Sequence, residues 1–315
     1  MGETLYLVIP CYNEEAVLPE TAKRLKEKIK NLTTGGVIDE KSKIMFVNDG
    51  SKDKTWSIIE QLHNQDSIFS GVNLSRNRGH QNALLAGLMT AKNYADITIS
   101  LDADLQDDIN AIDQFVNKYK EGYDIVYGVR SKREKDSPFK RNTALAFYKL
   151  QALMGVHSVY NHADYRLMSK RALEALEQFK EVNLFLRGIV PLIGFQSTEV
   201  MYERNERFAG ESKYPLKKML AFAIDGITSF SIKPIRFITG LGILIFIGSL
   251  FVILYSVIRK VMGYTVSGWA FLSCSIWLLG GIQLFGLGVV GEYIGKIYNE
   301  VKERPKYIIE KILND

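Results

Sequence analysis

The sequence predicts an α/β domain built on a doubly wound, mostly parallel sheet, followed by an amphipathic juxtamembrane helix and a two-helix transmembrane hairpin. Three observations carry this expectation. Short apolar runs alternate with helical patterns through the first half of the chain, one of those runs ends in Asp102 and Asp104, and two long charge-free spans occupy the last third. Strands alternating with helices imply a mostly parallel sheet covered on both faces.

The first element, Leu5-Tyr6-Leu7-Val8-Ile9, is an apolar strand that stops at Pro10, and residues 16–32 follow as an amphipathic helix. A second strand over residues 43–48 ends at Asp49-Gly50-Ser51-Lys52-Asp53, and residues 54–64 are helical. The third strand, residues 70–74, leads through residues 76–79 into a helix over residues 81–93. The fourth, residues 97–101, ends at the paired acids, and a fifth over residues 123–129 precedes Arg130. Open sheets of this type collect ligands beyond the carboxyl ends of their strands. Tyr12, Asn13, Glu14, Asp49, Asp53, Asp102 and Asp104 then share one cleft.

Side chains two apart on an extended chain point the same way, so Asp102 and Asp104 crowd two like charges together. Ionising both is costly unless a cation lies beside them, and hard carboxylate oxygens suit Mg²⁺ or Mn²⁺. A metal that also holds a diphosphate is the economical reading. The cleft has neither the Gly-x-Gly-x-x-Gly of dinucleotide folds nor the Gly-Lys-Ser/Thr of phosphate loops. Arginines must then share the phosphate charge, and Arg130, Arg133, Arg141 and Arg207 are available, their planar forks matching phosphate oxygens. His63, His80, His157 and His162 lack metal-ligand spacing and read as ordinary surface or core residues.

Residues 237–258 and 264–291 carry no charge, and a bilayer crossing needs roughly 20 apolar residues. Lys217, Lys218, Lys233 and Arg236 precede these spans and Lys296, Lys302, Arg304 and Lys306 follow them, against Arg259 and Lys260 between them. That bias is expected to place the α/β domain and both termini in the cytosol. No amino-terminal signal peptide is visible, because Pro10 interrupts the first apolar run. Residues 214–230 carry Leu216, Met219, Leu220, Ala223, Ile224 and Ile227 at helical spacing beside Lys217 and Lys218, the pattern of an interfacial helix. The expected boundaries are 1–212 for the cytosolic domain, 213–234 for the interfacial helices, 235–292 for the two spans (about 237–258 and 266–291) and 293–315 for a cytosolic tail. The two cysteines, Cys11 and Cys274, offer no disulfide framework. A net charge of +5 without any nucleic-acid motif argues against a nucleic-acid partner.

Five segments in order carry a resemblance: Val8-Ile9-Pro10-Cys11-Tyr12-Asn13-Glu14-Glu15, Val47-Asn48-Asp49-Gly50-Ser51, Asp102-Ala103-Asp104-Leu105-Gln106, Ala163-Asp164-Tyr165-Arg166-Leu167 and Gly210-Glu211-Ser212-Lys213-Tyr214. Together they resemble glycosyltransferase family 2, and within it the polyprenyl-phosphate glycosyltransferases, such as dolichyl-phosphate mannose synthases and bacterial undecaprenyl-phosphate glucosyltransferases. The resemblance implies a GT-A type fold. It implies that Pro10, Tyr12, Glu14 and Asp49 hold the donor nucleoside and that Asp102, Asp104 and Gln106, with Ala103 between them, form the metal and diphosphate site. Arg130 matches an arginine near the donor phosphates; Arg207, Ser212 and Lys213 match a loop that closes over donor and acceptor phosphates. Arg141, from the arginines noted above, is a further candidate phosphate contact. Asp164 matches the acid usually proposed as base. Members commonly follow Leu-Gln-Asp with two prolines, where this chain has Asp108-Ile109.

The implied reaction is inverting transfer of a hexose, glucose from UDP-glucose in the leading reading, to undecaprenyl or another polyprenyl phosphate in the bacterial plasma membrane. The partners are then a nucleotide sugar, the lipid phosphate, the membrane and, in an oligomer, a second copy of the chain. A lipid phosphate is ionised near neutral pH, its second pKa being about 6, so Asp164 is expected to orient rather than to generate the nucleophile. Galactose, an N-acetylhexosamine or mannose are alternative sugars. A polysaccharide synthase would carry Gln-x-x-Arg-Trp, which is absent, and a non-catalytic scaffold has no need of Asp102, Asp104 and Asp164 together.

Overall fold

The structure, a computed structural model, describes residues 2–131, 162–182, 184–203, 233–263 and 268–314. The chain divides into two compact units. The first holds strands β1 (Leu5–Cys11), β2 (Lys43–Asn48), β3 (Phe69–Leu74), β4 (Ile97–Ser100), β5 (Ile125–Arg130), β6 (His162–Ser169), β7 (Ser197–Tyr202) and β8 (Ile309–Leu313) in one sheet of order β7-β5-β6-β4-β1-β2-β3-β8. Strands β1, β2, β3, β4, β5 and β7 share one direction, while β6 and β8 run against their neighbours. The sheet is therefore mixed, with a parallel centre.

Alternation sorts the side chains of β1. Leu5, Leu7, Ile9 and Cys11 join the core beneath α1 (Leu18–Thr34), α2 (Thr55–Gln65) and α4 (Ala111–Lys120), with Leu25, Ile59 and Phe115 among the residues facing them. The other face carries α3 (His80–Ala91), where a Cβ on Gly87 would stand 2.5 Å from Val8 Cγ1 and from Val47 Cγ2, so only glycine lets this helix lie so close to the sheet. Helices on both faces make the sheet doubly wound. The same face adds α5 (Lys170–Glu177), capped by Ser169, whose Oγ accepts from Ala172 N at 3.1 Å. Helix α6 (Leu186–Leu192) completes the unit.

Pro10 does not end β1. The carbonyl of Val8 accepts from Leu101 N and that of Cys11 from Asp49 N, so even-numbered residues of β1 turn towards β4. The β1–β4 ladder stops at Val8↔Ser100, so the N–H that Pro10 lacks would have met no strand partner there.

Residues 304–315 also belong to this first unit, since β8 pairs antiparallel with β3. The second unit contains α7 (Lys233–Val261) and α8 (Trp269–Val301), with Ile238 Cγ2 3.4 Å from where a Cβ on Gly286 would lie. Among the described residues one segment, Leu278–Val301, is long and apolar enough to cross a membrane, and none of it is buried. Phe237 on α7 is 70% exposed and Leu284 on α8 71%, an apolar surface that water does not favour. The expected interfacial helix over residues 214–230 lies outside the described residues.

Candidate active site

The carboxyl ends of the parallel strands bring the loops of residues 12–15, 49–54, 76–79 and 101–108 to one edge of the sheet, and β6, running the other way, begins there. The first two loops are stitched together. Asn13, at φ 56°, donates its N–H to Ser51 Oγ at 3.0 Å and accepts Lys52 N on Oδ1 at 2.9 Å. Glu14 N donates to Thr55 Oγ1, Glu15 N to Asp53 Oδ2, and Lys54 N to Glu15 Oε2. Asp53 and Glu15 thus serve the loops, while Tyr12 stays 43% exposed at the rim.

Asp49 reaches the third loop. Its carboxylate, 2% exposed, accepts from Arg78 N at 2.6 Å and Gly79 N at 2.9 Å. Burial raises its pKa and the two N–H donors pull it back. Gly50 beside it, at φ 61°, lets the loops touch: a Cβ there would fall 2.4 Å from Asn77 N.

The paired acids are arranged differently from a continuing strand. β4 ends at Ser100, and Asp102 and Asp104 occupy a turn in which Leu105 adopts φ 57°. The same-side geometry of an extended chain therefore does not apply. Asp104 is 8% exposed and accepts Gln106 N at 3.1 Å, whereas Asp102 Oδ1 lies 3.7 Å from His80 Nε2. Desolvation in the cleft pushes Asp102 up to about 6, with Asp107, Asp164 and Asp104 adding to it and His80 opposing. Ala103 is buried and its carbonyl accepts from Thr21 Oγ1 at 2.7 Å. Among the described residues no three His, Cys, Asp or Glu side chains enclose a metal position.

Asp164, on β6, is the centre of a cationic cluster. Oδ1 accepts from Arg166 Nη2 at 2.7 Å and Arg187 Nε at 3.3 Å, and Oδ2 from Arg187 Nη2 at 3.2 Å, with His80 Nε2 3.5 Å away. Burial works to raise the Asp164 pKa, but Arg187, His80 and Arg166 hold it well below the usual carboxylate range. Arg130 is the last residue of β5 rather than the one after it. Its Nε donates to Tyr202 OH at 3.3 Å and its Nη2 lies 3.9 Å from Asp107.

The structure thus gathers Asp49, Asp102, Asp104, Asp164 and Arg130, with Pro10, Tyr12, Glu14 and Gln106, at the edges of the same strands. Arg133, Arg141, Arg207, Ser212 and Lys213 lie outside the described residues. Four participants were not singled out from sequence: His80, Arg187, Asp107 and Tyr202. His80, read as an ordinary histidine, opens a helix after a strand at the ligand-bearing edge, which was its one available signal. Arg187 has no such signal.

Comparison with known proteins agrees with this geometry. The family model for glycosyl transferase family 2 matches residues 6–177. An uncharacterized glycosyltransferase of Bacillus subtilis, YkoT, is 56% identical over 97% of this chain and 91% of its own length. The SfII prophage-derived bactoprenol glucosyl transferase of Shigella flexneri is 42% identical, covering 97% of both chains, and a prophage bactoprenol glucosyl transferase homolog of Escherichia coli is 40% identical over 97% and 98%. The chain belongs to glycosyl transferase family 2.

Proposed function

We propose that this protein is an inverting hexosyltransferase that moves glucose from UDP-glucose to a polyprenyl phosphate at the bacterial plasma membrane. The observation that carries the reading is the cluster of Asp102, Asp104, Asp164 and Arg130 at the ligand edge of a sheet whose own chain includes a segment long and apolar enough to cross a membrane. Relatives named bactoprenol glucosyl transferase, alike over nearly the whole chain, point to the acceptor and the sugar.

The acids fit a divalent cation. Two carboxylates in one turn, one of them pushed up to about 6 by burial first and by neighbouring acids second, are hard oxygen donors with negative charge in surplus. Asp102 and Asp104, with Gln106, would hold Mg²⁺ or Mn²⁺, and the ion would supply charge neutralisation at the departing diphosphate. Arg130 shares that load, and Tyr12, Glu14 and the loop anchored by Asp49 embrace the nucleoside. Arg141, Arg207, Ser212 and Lys213 complete the phosphate contacts. Asp164 is a poor proton acceptor, since Arg166 and Arg187 occupy its oxygens. It orients the sugar or acceptor, and the lipid phosphate, already ionised, attacks the anomeric carbon directly and inverts it.

The sheet also bears on topology. β1 to β7 come from residues before the apolar helices and β8 from residues after them, and one sheet cannot be built from both sides of a bilayer. The chain between must cross an even number of times. With one crossing in α8, α7 supplies the other, and this reading keeps a cytosolic domain over 1–212, interfacial helices over 213–234 and a hairpin over 235–292 ahead of a cytosolic tail over 293–315 that folds back as β8.

The test is transfer of labelled sugar from a panel of UDP and GDP sugars into an organic-extractable product, with undecaprenyl phosphate and Mg²⁺ or Mn²⁺ and a chelator control. Label entering lipid from UDP-glucose alone, and only with metal, is the expected result. Label from another donor would reassign the sugar, and nucleotide binding without lipid labelling would overturn the acceptor.

A further inference from the structure

Three hydroxyls from three elements hold the loop that carries the paired acids. Thr21 of α1 donates to the carbonyl of Ala103, Tyr165 of β6 to that of Asp108 at 3.0 Å, and Tyr202 of β7 to Asp107 Oδ1 at 2.6 Å. Only the last reaches a charged group, and the same phenol oxygen accepts Arg130 Nε at 3.3 Å. Arg130 and Tyr202 are register partners on β5 and β7, so the backbone itself sets them side by side.

The three groups differ in exposure. Asp107 and Tyr202 are each 3% exposed, whereas a quarter of the Arg130 side chain (25%) remains exposed. The Tyr202 ring packs edge-on against Tyr165 at 5.2 Å, which in turn packs against Phe115 at 4.7 Å, so the phenol has little freedom to turn. A buried carboxylate needs partners to be tolerated, and those of Asp107 include the phenol proton and, at 3.9 Å, the guanidinium. An arginine left free loses rotamer freedom when it grips a ligand; one held at its inner end has lost part of that in advance.

We propose that Tyr202 and Asp107 are positioning residues that fix the Arg130 guanidinium relative to the loop bearing Asp102 and Asp104, so that the arginine and the acids meet a nucleoside diphosphate as one preset unit. This rests on the reading of Arg130 as a phosphate-binding residue.

A double-mutant cycle on the full-length protein in detergent tests it, read both as kcat/KM for UDP-glucose with undecaprenyl phosphate and as the Kd of UDP with Mg²⁺. Tyr202→Phe keeps the packed ring and removes only the hydroxyl. It is expected to weaken both readouts about tenfold, the size of a hydrogen bond to a charged group, mainly through KM, and to lower the unfolding midpoint because Asp107 loses its donor, so the readouts are compared at a temperature where both proteins are folded. Arg130→Ala is expected to weaken them about a hundredfold, and the double variant no further, because Tyr202 acts through Arg130. Asp107→Asn serves as a second entry to the cycle should Tyr202→Phe fold poorly, with the same non-additive outcome expected. Losses that multiply, a silent Tyr202→Phe, or an impaired Tyr202→Phe beside a silent Arg130→Ala each overturn the proposal. A wild type that transfers no glucose to lipid instead overturns the function proposed above, and the UDP affinities still decide the positioning role.

Discussion

Asp164 and Arg166 stand two residues apart on one face of β6, with carboxylate and guanidinium 2.7 Å from each other and Arg166 only 1% exposed. Arg187 closes on the same carboxylate from α6. The pair binds the site to the core, because an arginine so buried has few alternatives to this acid.

Replacing Asp164 by Asn leaves that guanidinium short of its counter-charge and is expected to cost about 2–4 kcal/mol of stability at neutral pH. The carboxyl's folded pKa lies below its unfolded value, so its contribution is fully present above the unfolded value, about 3.9, and is lost as pH falls towards the depressed folded one. Thermal unfolding of wild type and Asp164→Asn from pH 7 to pH 3 should therefore show a constant gap down to about pH 4 and a shrinking gap below it. A gap that widens on acidification would mean that Asp164 is not held ionised.

Asp102→Asn and Asp104→Asn should each reduce metal-dependent transfer by about a thousandfold, the several kcal/mol that a bound cation contributes to a departing diphosphate. Asp104 also accepts Gln106 N, a bond that asparagine's carbonyl retains, so the variant should remain folded and membrane-bound. Titrating Mg²⁺ and Mn²⁺ against activity checks this, and near-normal turnover in Asp104→Asn would remove the metal from these acids.

Asp49 lies on the loop after β2 but organises the loop after β3 through Arg78 N and Gly79 N. Asparagine offers one acceptor and turns an NH₂ group towards a backbone donor. Asp49→Asn is expected to lose about 1–3 kcal/mol of stability and to bind UDP more weakly, because residues 76–79 are no longer held. Calorimetric UDP binding that matches wild type would confine Asp49 to a structural role.

The parallel centre of the sheet was legible because β1 to β4 are short apolar runs with polar ends, and the acids stood out because Asp102 and Asp104 follow such a run directly. The rest depended on partners far apart in the chain. Tyr202 meets Asp107 across 95 positions and Arg130 across 72, and no periodicity encodes either contact. β6 runs antiparallel between two strands that its own sequence does not distinguish, and that reversal is what brings Asp164 to the ligand edge. Pro10 appeared to end β1 because its tolerance depends on where β4 stops, a property of the neighbour. β8, Ile309-Glu310-Lys311-Ile312-Leu313, is too short and too charged to read as a strand by itself.

That last strand has a consequence for the cleft. β8 covers the outer edge of β3, and just beyond the ladder Ile308 O accepts Ser75 N at 3.0 Å, at the entrance to the loop that Asp49 holds. Tyr6 OH bonds Asn314, Asn73 bonds Glu310 and Lys311 pairs with Glu60, the last two on the surface and worth little alone. A chain ending at Arg304 keeps both apolar helices but bares β3 as an open edge. It is expected to unfold about 5 °C or more below the full chain and to bind UDP more weakly, since the released edge loosens residues 75–79. Unfolding and UDP calorimetry on the shortened protein check both effects. A lower midpoint with unchanged UDP affinity would make β8 a staple of the sheet alone, whereas loss of both would show that the segment after α8 helps to shape the cleft.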